Sequence, residues 1–294
     1  MKKRFKIIKA EDKPEAKPKK RFKIVNSKPK RKFKIKAKDK LSKYKSKTSV
    51  ITYPKDMGDI LVYYPAKCGS EIGGSKCKVR DKIASGKIWE SKITKKIFES
   101  TKPGTIAIDV GANLGAHTIS MLKGVGKTGK VIAFEPQDRT RASLTRTLKN
   151  LGSNVRVSDK IVYSKNGKVR FASNMTGMSR VLTESEKPPS KKWNVSEAVP
   201  AITLDTFLSN NIKPVSIIKI DVEGSELEVL KGAKKLIKKW RPTIFLEVWN
   251  PKEANTQAKK TEYLAQRKDV IKWAKDNNYR KTAILSNDWK LTPI

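Results

Sequence analysis

The sequence predicts a doubly wound α/β protein on a mostly parallel sheet, preceded by a basic tail. Three observations predict it. From residue 105 onward, short apolar runs alternate with helical stretches, which is how parallel sheets are built. Several of these runs end at a glycine or an acid, where ligands bind in open sheets. The composition also changes early: residues 1–50 hold 22 Lys/Arg and 4 Asp/Glu, whereas the other 244 hold 45 and 24.

Residues 1–48 are rich in Lys and Pro and poor in large apolar side chains. They bury too little surface to offset the entropy of ordering, so a disordered tail is expected. The tail repeats KRFKI at 3–7 and 20–24 and KFKI at 32–35. Two readings stand: an arm binding nucleic acid or another polyanion, and a solvated, solubilising segment. Folded structure is expected from near Val50, with 49–104 a lead-in segment and 105–294 the main domain.

The elements follow in order. TIAIDV (105–110) and VIAFEP (131–136) read as strands, ended by Gly111 and Pro136. Residues 139–150 read as a helix. VRVSDKIV (155–162) and KVRFAS (168–173) read as strands, the second after the turn KNG. VSIIKIDV (215–222) and PTIFLEVW (242–249) are further strands. Between them, Ser225 and Glu228 suggest a capping box, and Leu227, Leu230, Ala233, Leu236 and Ile237 a helical stripe. A last helix is expected over 261–278, with Leu264, Ile271 and Ala274 on one face.

Some classes are excluded or disfavoured. No apolar run reaches the roughly 18–20 residues of a membrane span, and the N-terminus lacks the apolar core of a secretory signal. Two cysteines, Cys68 and Cys77, bracket a Gly-rich stretch. They read as free thiols in a reducing, intracellular (cytoplasmic) compartment.

The chemistry is expected at three strand ends. Asp109 closes one, and Gly111 and Gly115 then permit a tight turn before a helix; the spacing is G-x-x-x-G, not that of dinucleotide binders. Glu135 lies 20 residues after Gly115, where a carboxylate can accept two ribose hydroxyls. Asp221 and Glu223 end the third run, and Glu247 ends the strand after it. Glu226 and Glu228 open a helix, whose dipole favours them there.

The segments DVGANLGAHT, AFEP, TLDTF (203–207), IIKIDVEGSELEVLKGA (217–233) and PTIFLEVW occur in the order seen in the FkbM-type family of S-adenosylmethionine-dependent methyltransferases. SGKIWE (85–90) also resembles that family's lead-in. The resemblance covers about residues 85–280. One departure is IVYSKNG (161–167), where members often carry Ser-Asp and this chain has Tyr163 and Ser164.

The resemblance implies a class I methyltransferase fold of seven strands with one antiparallel at the edge. The donor would lie over the loop of Gly111, Asn113 and Gly115. Asp109 would face its methionine end, and Glu135 would hold its ribose. The acceptor would be a hydroxyl of a sugar, glycan or related small molecule. Asp221 is the expected base, with Glu223 and Glu247 beside it; alternatively Asp221 and Glu247 hold a divalent ion.

His117 reads as a base or, more plainly, as a polar residue of a helix's first turn. Glu90 reads as a wall over the donor or a surface acid. Two other functions stand: a ribose 2′-O methyltransferase of RNA, and a non-catalytic nucleic-acid-binding protein. The lysine-rich composition resembles that of AT-rich genomes, large DNA viruses among them, which would put the protein in a virion or host cytoplasm.

Overall fold

A computed structural model describes residues 41–53, 58–67, 77–174 and 178–294. The expected tail, up to residue 40, lies outside them, as do Cys68 and the glycines after it.

The described chain opens with a hairpin, β1 (Ser46–Tyr53) and β2 (Gly58–Pro65), paired antiparallel. β1 therefore begins inside the stretch expected to be tail. Ile51, Tyr53, Ile60, Val62 and Tyr64 alternate onto one face and are buried. Helices α1 (Lys78–Ala84) and α2 (Ser91–Ser100) follow. Cys77, just before α1, is buried and disulfide-bonded, which corrects the expectation of a free thiol there.

Alternation then begins as expected: β3 (Ile106–Val110), α3 (Ala116–Val125), β4 (Lys130–Phe134), α4 (Asp138–Lys149) and β5 (Val155–Ser158). The hairpin packs on α4, where Ile51 and Val62 share a core with Leu144 and Leu148. Next come β6 (Ile161–Val162), β7 (Gly167–Ser173), β8 (Ser179–Leu182) and β9 (Asn194–Ile202). These form a separate four-stranded sheet, ordered β6-β9-β7-β8. The run 155–162, expected as one strand, is thus split between two sheets.

After α5 (Leu204–Phe207), the main sheet resumes with β10 (Val215–Ile220). Then come α6 (Glu226–Lys231), α7 (Lys234–Trp240) and β11 (Thr243–Glu247). The expected capping box does not form. Ser225 makes no side-chain cap bond, and Glu226 Oε1 instead accepts from the Val222 and Gly224 amides at 3.3 and 3.1 Å. The chain closes with α8 (Gln257–Asp276), β12 (Tyr279–Ala283) and β13 (Asp288–Pro293).

On α8, Leu264 and Ile271 are exposed, and Val270 and Ala274 are the buried pair. Polar anchors turn the helix this way: Arg267 donates to the Trp249 and Val248 carbonyls at 2.7 and 3.1 Å, and Gln266 donates to Glu226 Oε2 at 2.5 Å.

The main sheet has seven strands, ordered β12-β13-β11-β10-β3-β4-β5. All run parallel except β13, which pairs antiparallel with both β11 and β12. The reversed strand is therefore one in from the edge, not at the edge as expected. From β3 the chain winds one way through β4 and β5, and from β10 the other way through β11. The reversal between β3 and β10 leaves a crevice at their carboxyl ends.

Candidate active site

Register lines up the candidate residues. Val110 faces Phe134 on one side and Ile220 on the other, and Ile220 faces Leu246. One residue further on, the row across the sheet reads Glu135, Gly111, Asp221, Glu247. Asp288 of β13 extends it, paired with Glu247. The backbone ladder carries through: Asp221 N–H donates to Val110 O and Gly111 N–H to Phe134 O, both at 3.0 Å. Adjacent strands lie about 4.8 Å apart, so Glu135 and Asp221 stand roughly 10 Å apart with Gly111 between them.

The row requires glycine at 111. Its φ is +83°, and a Cβ there would lie 1.8 Å from the Asp221 carbonyl oxygen. Gly115, at φ +90°, starts α3 against Leu144. The loop amides are already committed: Gly111 and Ala112 to Phe134 O, Asn113 to Glu135 Oε2, Gly115 to Ala112 O. A pyrophosphate needs such amides free, so the loop suits a donor whose adjoining part bears no phosphate.

A cavity of about 550 Å³ opens over this row. Gly111, Asn113, Glu135, Glu90, His117, Asp221, Glu223 and Glu247 all line it. Asp109 and Gly115 do not. Asp109 is fully buried beneath the loop, with Oδ2 accepting from Thr118 Oγ1 at 2.5 Å and Oδ1 unpartnered. The small sheet covers the cavity through Phe171, Asn174, Met178 and Arg180.

At one end, Glu135 is buried and its oxygens accept from the Asn113 and Gln137 amides, both at 2.9 Å. Burial pushes its carboxyl up to about 7 against those bonds. At the other end, Lys219 Nζ lies 2.7 Å from Asp221 Oδ2. Lys219 is buried, whereas the Asp221 side chain keeps 27% of its surface, turned to the cavity. Burial opposes the Asp221 charge, but the Lys219 ammonium and a hydrogen bond from Glu247 outweigh it and hold that carboxyl below its usual range. Glu247 is driven well up, by Asp221 first and by burial second. Of the hydrogen-bonded pair, Glu247 is the member whose charged form is disfavoured, and Asp221 the one whose charge is held.

Glu223 has the left-handed φ of +54° and receives the Trp249 indole N–H at 3.4 Å. Burial, then Asp221, pushes it up to about 7. Trp249 packs over Gly224 and against the Tyr263 ring, 4.8 Å between centroids. His117 is buried in the first turn of α3; its Nε2 lies 3.0 Å from Glu90 Oε2 and its Nδ1 3.3 Å from Thr94 Oγ1. Sequence reasoning missed Asp288, pushed up to about 6 by burial, and Arg180 and Asn287 at the cavity wall. Among the described residues, no three His, Cys, Asp or Glu side chains converge to hold a metal ion, and no helix is long and apolar enough to cross a membrane.

A doubly wound sheet with its strand-end acids and glycine loop in one crevice defines a nucleotide-type cofactor enzyme fold. A model of the methyltransferase FkbM domain matches residues 109–281, and the chain belongs to this family of S-adenosylmethionine-dependent methyltransferases. It is similar to the hexuronic acid methyltransferase AglP of Haloferax volcanii, at 27% identity over 49% of this chain and 56% of that protein. It is also similar to the 2-O-methyltransferase NoeI of Sinorhizobium fredii, at 26% identity over 48% of this chain and 62% of that one. The matched part thus spans under two thirds of either relative. A crystal structure of the FkbM methyltransferase of Methylobacillus flagellatus has 14% identity and a TM-score of 0.43, covering 74% of this chain and 55% of that one; at that score it adds nothing to the assignment.

Proposed function

We propose that the chain methylates a hydroxyl oxygen of a sugar, on a glycan or a related small molecule. The carrying observation is the single register row with Glu135 at one end and the Lys219–Asp221–Glu247 cluster at the other, both in one cavity. S-adenosylmethionine, when bound, supplies an electrophilic methyl group. Glu135 would accept its ribose hydroxyls, and the loop of Gly111 and Asn113 would lie against its methionine end, with Asp109 supporting the loop from beneath.

Asp221 then meets the acceptor. Its charged carboxylate accepts the hydroxyl's hydrogen bond and aims the oxygen lone pair. The O–H proton turns acidic as the new C–O bond forms, so a carboxylate of low basicity suffices to take it. Lys219 keeps Asp221 charged, and Glu247, protonated, fixes its orientation. Glu223 and Glu253 offer further acceptors for neighbouring hydroxyls. An amine acceptor would stay protonated, and so non-nucleophilic, beside these acids. His117 and Glu90, bound to each other, form the cavity wall.

A second reading, methylation of a ribose hydroxyl in RNA, is supported by the excess of 45 Lys/Arg over 24 Asp/Glu beyond residue 50. Transfer of labelled methyl to a panel of sugars and glycans, run beside capped and uncapped RNA, separates the two. Label on RNA alone would overturn the glycan reading.

A further inference from the structure

A second cavity, about 730 Å³, adjoins the first and shares Pro136, Phe171 and Asn174 with it. Five cations line it: Lys43, Lys45, Lys67, Arg139 and Arg141. Against them stand Asp138, already paired with Arg141, and Asp159. The groove is braced at its floor. Arg141 Nη1 donates to the Glu135 and Pro136 carbonyls at 2.9 and 2.7 Å, and Gln137 Nε2 donates to Asn174 O at 2.7 Å, tying α4 to the small sheet. The three lysines are exposed. α4 starts here at Gln137 with no side-chain cap on its amides. Tyr44 supplies aromatic surface among the cations, with Lys43 Nζ 5.1 Å from its ring centroid.

We propose that this groove binds single-stranded nucleic acid beside the reaction cavity. Exposed cations around the Tyr44 ring suit a phosphate backbone carrying an unstacked base, whereas a small anion would leave most of this volume unfilled. Among the described residues the chain enters the groove at Lys43. The inference is independent of the acceptor proposed above, because Lys43, Lys45 and Lys67 line this groove and not the reaction cavity.

The test measures anisotropy of a fluorescein-labelled single-stranded RNA with the full chain, across a salt series. Lys43→Glu/Lys45→Glu/Lys67→Glu reverses three groove charges, and Lys234→Glu/Lys238→Glu/Lys239→Glu reverses three exposed charges on α7. The groove variant is expected to bind about tenfold or more weakly and to flatten the log–log salt slope by about 2, at roughly 0.7 for each phosphate no longer neutralised. The α7 variant should stay within about twofold, since α7 lies outside the groove. Ultraviolet cross-linking of the unaltered chain should mark Tyr44. Equal weakening by both variants, cross-links confined to residues 1–40, or tighter binding of a carboxylated polysaccharide would each overturn the proposal.

Discussion

Lys219 Nζ lies 2.7 Å from Asp221 Oδ2 because residues two apart along a strand direction share a face. Asp221→Asn removes the charge that accepts the acceptor's proton. Methyl transfer should fall by about 10²–10⁴, with donor affinity changed less than about twofold. Lys219→Met tests positioning instead: with the ammonium gone, the Asp221 carboxyl rises, and the acidic limb of the pH–rate profile should move to higher pH. Calorimetric donor titration alongside labelled-methyl transfer checks both. Normal turnover in Asp221→Asn would remove this residue from the mechanism.

Gly111→Ala should be more damaging than Gly126→Ala. Both glycines have positive φ, +83° and +64°. A Cβ at 126 meets nothing within 4 Å, so only the backbone cost of its glycine-only conformation (φ 64°, ψ −167°), on the order of 1–3 kcal/mol, applies. At 111 it meets backbone, not a side chain that can swing aside, so β3 and β10 must separate. Urea unfolding should give Gly126→Ala near that cost and Gly111→Ala clearly above it. Comparable values would mean the crevice can open cheaply.

The acids at the ends of apolar runs made Glu135, Asp221 and Glu247 legible in the sequence, because buried parallel strands are near-continuous apolar segments. Lys219 and Asp221, two residues apart, fall on one face by the strand period alone. The small sheet was less legible: β9 alternates irregularly and is largely exposed, so it lacks an apolar run. Asp288 joins the row only through the antiparallel register of β13, which no local pattern encodes. Arg180 reaches the cavity from a strand packed over the site, a tertiary fact. The capping box had the right residues, but Glu226 took the turn amides instead.

Asp205, in TLDTF, acts as a structural cap. Its Oδ2 and Oδ1 accept from the Lys235 and Leu236 amides at 2.9 and 2.8 Å, closing the start of α7 from 30 residues away. Asp205→Ala should cost about 1 kcal/mol, as helix caps do. That corresponds to roughly 2–4 °C in Tm for a domain of this size. Donor affinity should not change, and a large loss of binding would assign Asp205 a further role.

Glu135 and Glu226 are both pushed up to about 7 by burial. An unfolded glutamate titrates at about 4.3, so the folded state holds more protons between the two values. Their contribution is therefore fully present below the unfolded value and lost as pH rises through about 7. Unliganded Tm should fall between mildly acidic and mildly alkaline pH, and Glu226→Gln should flatten that slope. Donor binding should run the other way. Ribose hydroxyls donate to the Glu135 carboxylate, so affinity should drop by up to about tenfold per pH unit below its pKa, the equivalent of about 1.36 kcal/mol per unit. Saturating donor therefore stabilises the protein most at alkaline pH and levels the Tm profile. Glu135→Gln should bind donor weakly at every pH and lose this levelling. Melting curves with and without S-adenosylmethionine across the pH series decide it: identical slopes in both would place the ribose away from Glu135.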